Sequence, residues 1–494
     1  MRKKITIDPV TRIEGHLAVE AIVDDGVVKD AKCAGTLFRG FEIILQGRDP
    51  RDANQLTQRI CGVCPIAHAT ASAFCIDEAF GLTDKIPDNA KLIRALIFGS
   101  NFLQSHILHF YHLAALDYVD AVSAVGDLAP FVPRYEGDYR VSGEANAELA
   151  SHYLKALDIR RKCQEMLSLF GGKMPHCVGI VPGGATEKPT EDKITNFLWR
   201  LNEIRNFVDN TYIPDVITVA KAYSDYFEIG RGCRRFLSYG GFDLPTGMLF
   251  KAGIVSPDLQ HKTFAKENIT EDVKYSWYSD TDSGKSPAQS RTDAAAEKKG
   301  AYSFLKSPRY KGEVCEVGPL ARMVNNYVQG DGKTKEAVDS LLGQFGAGVD
   351  ALFSVLGRHA ARALEAKIIG DAMVNWLLAL KPGEPTIIES RIPETGEGAG
   401  LTEAARGSVG HWMTIKDKKI DRYQVITPTG WNASPKDDKD QPGALEQAII
   451  GTRVKDKDNP FELVRIVRAF DPCLACSVHL LDVRKKGLGQ FRVI

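Results

Sequence analysis

Two Cys-x-x-Cys pairs stand near opposite ends of the chain, Cys61-Gly-Val-Cys64 and Cys473-Leu-Ala-Cys476, each with a histidine a few residues on, His68 and His479. Thiolate sulfur is a soft, charged ligand suited to zinc, iron, nickel or copper. One such pair fits a structural zinc site or a redox dithiol. Two pairs separated by most of the chain suggest a fold that brings both ends to one metal centre, because four converging thiolates repel unless cations neutralise them. The other groups that could do chemistry carry no signal alone. Glu14 in Thr11-Arg-Ile-Glu-Gly-His16 reads as a surface or salt-bridged carboxylate, Arg406 in Ala405-Arg-Gly407 as a surface charge, and Glu316 as a buried, paired carboxylate. His16, His106, His109, His176 and His411 read as structural histidines.

The elements that must position these residues are partly legible. Leu17, Val19, Ala21 and Val23 alternate, Asp25-Gly26 offers a tight turn, and Val27-Val28 begins a return, which predicts a hairpin. Ala53 to Ala79 predicts a helix carrying the first cysteine pair at or near its N-terminus, where unpaired amides favour thiolate. Pro87 to Val119 and Ala145 to Phe170 predict long helices, Ile194 to Ile204 a third at i, i+3, i+4 spacing, and residues 334–380 one or two more. The expected class is α+β, mainly α: a long-helix bundle core with peripheral β hairpins and sheets. The polar stretches 262–300 and 434–460 read as surface excursions.

Composition excludes several classes. With 44% apolar and 26% charged residues, the 494-residue chain has the make-up of a soluble globular protein. Lys+Arg and Asp+Glu both number 63, a balance that favours neither nucleic acid nor an anionic membrane surface. Ten cysteines are too few for a disulfide scaffold of this length. Met1-Arg-Lys-Lys lacks an apolar core after it, so no signal peptide is expected. No linker divides the chain, which predicts one intertwined domain over residues 1–479.

Further motifs narrow the metal reading: Phe38-Arg-Gly-Phe-Glu42, Arg59-Ile-Cys-Gly-Val-Cys64, Glu316-Val-Gly-Pro-Leu-Ala-Arg322, His411-Trp412, Thr427-Pro-Thr-Gly-Trp-Asn432 and Asp471-Pro-Cys-Leu-Ala-Cys-Ser-Val-His479. With Thr11 to His16, this ordered set resembles the large, catalytic subunit of periplasmic nickel-iron hydrogenases, and within it the nickel-iron-selenium branch. In that branch the first position of the second pair is selenocysteine; here position 473 is cysteine.

The resemblance implies heterolytic splitting of H2 at a Ni–Fe centre whose iron carries carbon monoxide and cyanide. Cys61 and Cys473 would be terminal on nickel, and Cys64 and Cys476 would bridge to iron. His68 would hydrogen-bond Cys64. Arg406 would lie over the open metal positions, oriented by Asp471, while Pro428 and Thr429 line the pocket. Glu14 would relay the proton from Cys473. Glu42, the Val425 carbonyl and His479 would hold a magnesium ion, with Glu316 reaching it through water. The family often has a second Asp for Arg406; Ser105 stands at that place.

No further cysteine cluster is spaced for an iron–sulfur centre, so a partner bearing such clusters is expected; the resemblance makes it an iron–sulfur small subunit that passes electrons to a c-type cytochrome or similar acceptor. The resemblance adds a twin-arginine signal on that partner, a periplasmic location with membrane association left open, metal-insertion proteins, and an endopeptidase that removes tail 480–494. Two other readings stand beside it: a non-catalytic subunit stapled by a four-cysteine zinc site, and a hydrogen-sensing relative. Sensors of that type usually lack the tail.

Overall fold

The computed structural model describes residues 2–126, 131–132 and 136–477, the last two by backbone only. The N-terminal strands β1 (Lys3–Ile7), β2 (Leu17–Asp24) and β3 (Val27–Gly35) form an antiparallel sheet in that order. Leu17, Val19, Ala21 and Val23 are buried, as the period-two alternation requires. Asp25 and Gly26 take the positive φ of the tight turn.

The predicted helix over Ala53 to Ala79 is two helices, α1 (Asp52–Thr57) and α2 (Pro65–Ala79). The break falls on the cysteine pair. Cys61 is extended, and Cys64 is the N-cap of α2 with Pro65 in its first turn. Proline suits that position but disfavours helical geometry in the residue before it, so Pro65 both starts α2 and keeps Cys64 out of a continuous helix.

The helical core follows the expected pattern. Helices α3 (Asp88–Leu108), α4 (Gly143–Gly171), α5 (Glu191–Phe207) and α6 (Val355–Leu378) carry it. Helix α3 packs on α4 and α6, and α5 packs on both of those. Beyond Leu108, α3 runs on through a π turn (His109–Ala114) and a 3-10 turn (Ala115–Asp117). Helix α7 (Phe461–Phe470) packs on α6 and leads into the second cysteine pair.

A three-stranded antiparallel sheet, β4 (Thr395–Ala404), β5 (Gly407–Lys416) and β6 (Lys419–Ile426), was not signalled by the sequence. Helix α2 lies directly on it. A Cβ on Gly400 would fall 1.8 Å from the Ala71 carbonyl oxygen, and one on Gly398 2.0 Å from that of Cys75. Those glycines let the helix backbone, with Cys64 at its start, seat against the strand.

The two polar stretches are more than excursions. Glu271 and Thr292 are buried within the first, and Asp437 and Glu446 within the second. Asp437 pairs with buried Arg309 at 2.7 Å, and Ala444–Ile449 is a short helix.

Candidate metal centre

The ligand sulfurs of Cys61, Cys64 and Cys473 all lie within 4.8 Å of one another and are buried. Cys61 Sγ is 3.3 Å from Cys473 Sγ. The side chain of Cys476, His479 and the tail 480–494 lie outside what the structure describes. In the α1–α2 break, the Val63 and Cys64 amides donate to Cys61 Sγ at 3.3 and 3.4 Å, an arrangement that favours the thiolate.

Segments remote in sequence meet here. Glu14 and Cys473 form a parallel β-bridge, and Leu474 N donates to Glu14 O at 2.7 Å. Gly15 makes this approach possible: its φ is +79°, and a Cβ there would meet Ala475 N and Leu474 Cβ at 2.8 Å. Arg39 adds a clamp, donating to the carbonyls of Ala475 at 2.7 Å and of Ile60.

Glu14 then reaches the sulfur itself. Cys473 Sγ donates to Glu14 Oε2 at 3.2 Å, and Ala475 N donates to the same oxygen at 2.8 Å. Burial raises the Glu14 carboxyl above its ordinary pKa, and the Cys61 thiolate raises it further. Cys473 N donates to Thr429 Oγ1 at 2.8 Å. Thr429 and Pro428 are buried in a short helix, Pro428–Asn432.

Arg406 is 2% exposed. Burial opposes its charge, yet Asp471 and the three thiolates hold it well above the ordinary range, so it stays a cation. Nη2 sits 3.0 Å from Asp471 Oδ1, off hydrogen-bond alignment, and Nη1 donates to Ser105 Oγ at 3.2 Å. Ser105 thus supplies a neutral acceptor where a second carboxylate was in question. Asp471 itself caps α7 in the left-handed region, φ 54°.

His68 is fully buried one turn into α2. Its Nδ1 faces His411 Nε2 at 3.1 Å, and burial lowers its pKa to about 4, so the ring is neutral. Glu42 lies in a second site. It accepts from Val425 N at 2.9 Å and from the Thr292 hydroxyl. A cavity of about 50 Å³ is lined by Glu42, Val425 and Thr427 together with Glu271 and Lys306. Two carboxyl groups line it, oxygen donors of the kind a hard cation takes.

Glu316 does not join that site. It is locked bidentately to Arg358 at 2.7 and 2.8 Å and is not among the residues lining the cavity. Glu271 lines that cavity, with its carboxyl raised by burial and by Glu42. Sequence reasoning missed it, although the strand Ile269–Asp272 buries Ile269 and Glu271 on one face, a polar residue at an apolar position.

Soft sulfur donors, an acid hydrogen-bonded to one of them and a buried cation beside them define a redox metalloenzyme centre, and the donor set fits a nickel–iron pair. A family model described as nickel-dependent hydrogenase matches residues 39–127 and 121–479, and a HoxL-like model matches residues 4–34. The periplasmic NiFeSe hydrogenase large subunit of Desulfomicrobium baculatum is 46% identical over 499 residues, covering 97% of this chain and 95% of that protein. The uptake hydrogenase large subunit of Rhizobium leguminosarum bv. viciae is 36% identical over 584 residues, covering 99% and 97%. The Ni-Fe-Se hydrogenase structure from D. vulgaris Hildenborough, in the reduced state, superposes with a TM-score of 0.91 at 46% identity, covering 97% of this chain and all of that one. The chain belongs to the nickel-dependent hydrogenases, as a large, catalytic subunit.

Proposed function

We propose that this chain splits dihydrogen reversibly into protons and electrons, with Cys61, Cys64, Cys473 and Cys476 holding a nickel–iron pair whose iron carries carbon monoxide and cyanide. The observation that carries this reading is the contact of Glu14 Oε2 with the Cys473 sulfur inside the cysteine cluster, at 3.2 Å. When bound, the bimetallic centre polarises a nonpolar bond that no side chain can break unaided.

The remaining chemistry is the protein's own. Cys473 Sγ takes the proton, and Glu14, its affinity raised by burial, accepts it and carries it away as a general base. Arg406 keeps a fixed positive charge beside the thiolates, and its planar guanidinium, held near Asp471, would offer donors to diatomic ligands of the centre. Thr429 Oγ1 is occupied by the Cys473 amide, so its hydroxyl hydrogen is left to donate, which suits a cyanide nitrogen. Pro428 adds an apolar wall. A zinc ion in the same sulfurs would be redox-silent and would leave Glu14 and Arg406 without a task.

Glu42, the Val425 carbonyl and His479 hold magnesium in this reading, with Glu271 in place of Glu316 reaching it through water. Residues 1–479 act as one unit; the pairing of Glu14 with Cys473 and of Val28 with Thr452 ties the first strands to the last segments. Residues 480–494 are removed by an endopeptidase after metal-insertion proteins have filled the site. Electrons leave through an iron–sulfur small subunit to a c-type cytochrome or similar acceptor. The heterodimer works in the periplasm, exported by a twin-arginine signal on that partner. Among the described residues no helix is long and apolar enough to cross a membrane.

The test is co-expression with the small subunit, followed by metal analysis and a hydrogen-oxidation assay. Equal nickel and iron in the large subunit with dye reduction under hydrogen is expected. Zinc in the cysteine site, or inactivity with nickel and iron in place, would contradict the proposal.

A further inference from the structure

Arg406, the buried cation beside the thiolates, is presented by a turn that leans on outside support. Ala404 pairs with Gly407, so Ala405 and Arg406 alone join β4 to β5. The primed turns that favour a two-residue loop need positive φ within the loop; here only Gly407, just after it, takes one, φ 135°. Ala405 is buried as well, so its carbonyl needs a partner inside the protein.

Arg322 supplies that partner. It is fully buried in the helix Pro319–Val328. Its Nη1 donates to Ala404 O and its Nη2 to Ala405 O, each at 3.0 Å. The other three N–H groups go to carboxylates: Nη1 to Glu403 Oε2 at 2.6 Å, and Nε and Nη2 to the two oxygens of Glu365. All five guanidinium donors are thus in use. The hold extends to the tip of Arg406. Glu365 also pairs with His106 Nε2 at 2.7 Å, and the residue before His106 in α3 is Ser105, which accepts from Arg406 Nη1 at 3.2 Å. Beneath the turn, backbone meets backbone. A Cβ on Gly407 would fall 2.8 Å from Gly318 N, and Gly318 caps the helix that carries Arg322. Val317 is tied through both its backbone groups, at 2.9 Å each, to Asn432 in the helix of Thr429.

We infer that Arg322 is a positioning residue for Arg406: its planar fork fixes the two carbonyls of the turn, and so where the Arg406 guanidinium stands beside the thiolates. The inference rests on the nickel–iron reading above. Lysine cannot replace the fork, because an ammonium brings three donors to five acceptor contacts and has no plane to span two carbonyls. Misplacing a group at a reacting centre by about 1 Å costs up to ~10²-fold in rate.

The experiment is a double-mutant cycle on the purified heterodimer, reading hydrogen oxidation per nickel and the infrared bands of iron-bound carbon monoxide and cyanide. Arg322→Lys should lower the rate by roughly tenfold and displace the bands in the direction they take in Arg406→Lys. With Arg406→Lys already in place, Arg322→Lys should change the rate by less than about twofold and leave the bands where they are, because groups that act as a unit are not additive. Parental bands and a parental rate per nickel in Arg322→Lys would overturn the inference, whatever the loss in Tm, and so would losses that multiply in the double variant. Should Arg322→Lys fail to fold, Glu403→Gln enters the same cycle and is read the same way: it keeps Oε1 for Tyr239 N and Ser408 Oγ and turns an amide N–H against Arg322 Nη1. A parent protein without nickel or without those bands would instead sink the nickel–iron reading.

Discussion

At the scale of single residues, the account turns on a carboxyl whose proton affinity is set by its surroundings. Glu14 is raised by burial and by the Cys61 thiolate, and lowered by the Cys473 and Ala475 hydrogen bonds and by Arg406. It is poised to exchange a proton with the sulfur it touches. Glu14→Gln keeps the shape and the Ala475 bond but cannot take the proton. Hydrogen/deuterium exchange should fall by 10²-fold or more, on the order of a general base's contribution, with nickel and iron unchanged; retained exchange would exclude the relay. Cys61, Cys64, Cys473, Glu14, Arg406, Asp471 and Thr429 were legible because each sits in a motif whose residue order is distinctive. Glu271 and the hold of Arg322 on Ala404 and Ala405 were not, because their partners are remote in sequence and no spacing connects them. Glu316 is buried and paired with Arg358, as its bare residue type suggested, while the motif pointed it toward a different neighbourhood.

At the scale of elements, the first cysteine pair owes its position to how α2 meets β4. The hairpin β2–β3 was legible from alternation and Asp25-Gly26. The sheet β4–β6 was not, because β4 spends glycines at the helix-facing positions where alternation would show apolar side chains, and β5 is buried on both faces. Those glycines give a direct test. A methyl at Gly400 meets backbone, the Ala71 carbonyl oxygen and Cys75 N at 2.4 Å, and neither can move without moving α2. Gly400→Ala should destabilise the protein by roughly 1–3 kcal/mol, the usual cost of overpacking, and should lower nickel content by displacing Cys64. Thermal unfolding with metal analysis checks both. A variant with parental Tm and nickel would show that the helix seat is dispensable.

At the scale of the whole molecule, remote segments are knitted by buried polar groups that make stability depend on pH. Glu446 accepts from Cys33 N of β3 at 2.9 Å, from Gly443 N at 3.0 Å and from the Tyr302 hydroxyl at 2.8 Å. Burial pushes its carboxyl up to about 7, from an ordinary value of 4.5. Because the folded pKa lies above the unfolded one, the folded state binds more protons between those values. The contribution is fully present below the unfolded pKa and is lost as pH rises through about 7. Stability of the parent relative to Glu446→Gln should therefore decline from pH 4.5 to 7 in denaturant titrations, and a difference that rises or stays flat would refute it. None of this was visible in the sequence, where residues 434–460 read as solvated surface; the charges there are buried because Arg309, Tyr302 and β3 reach them from elsewhere in the chain.

The sharpest check on the whole proposal is an infrared spectrum of the anaerobically purified heterodimer. Sulfurs from both ends of the polypeptide holding nickel and iron should give bands of iron-bound carbon monoxide and cyanide, and these should vanish in Cys64→Ser. A spectrum empty in that region, from protein carrying its full complement of metal, would contradict the centre described here.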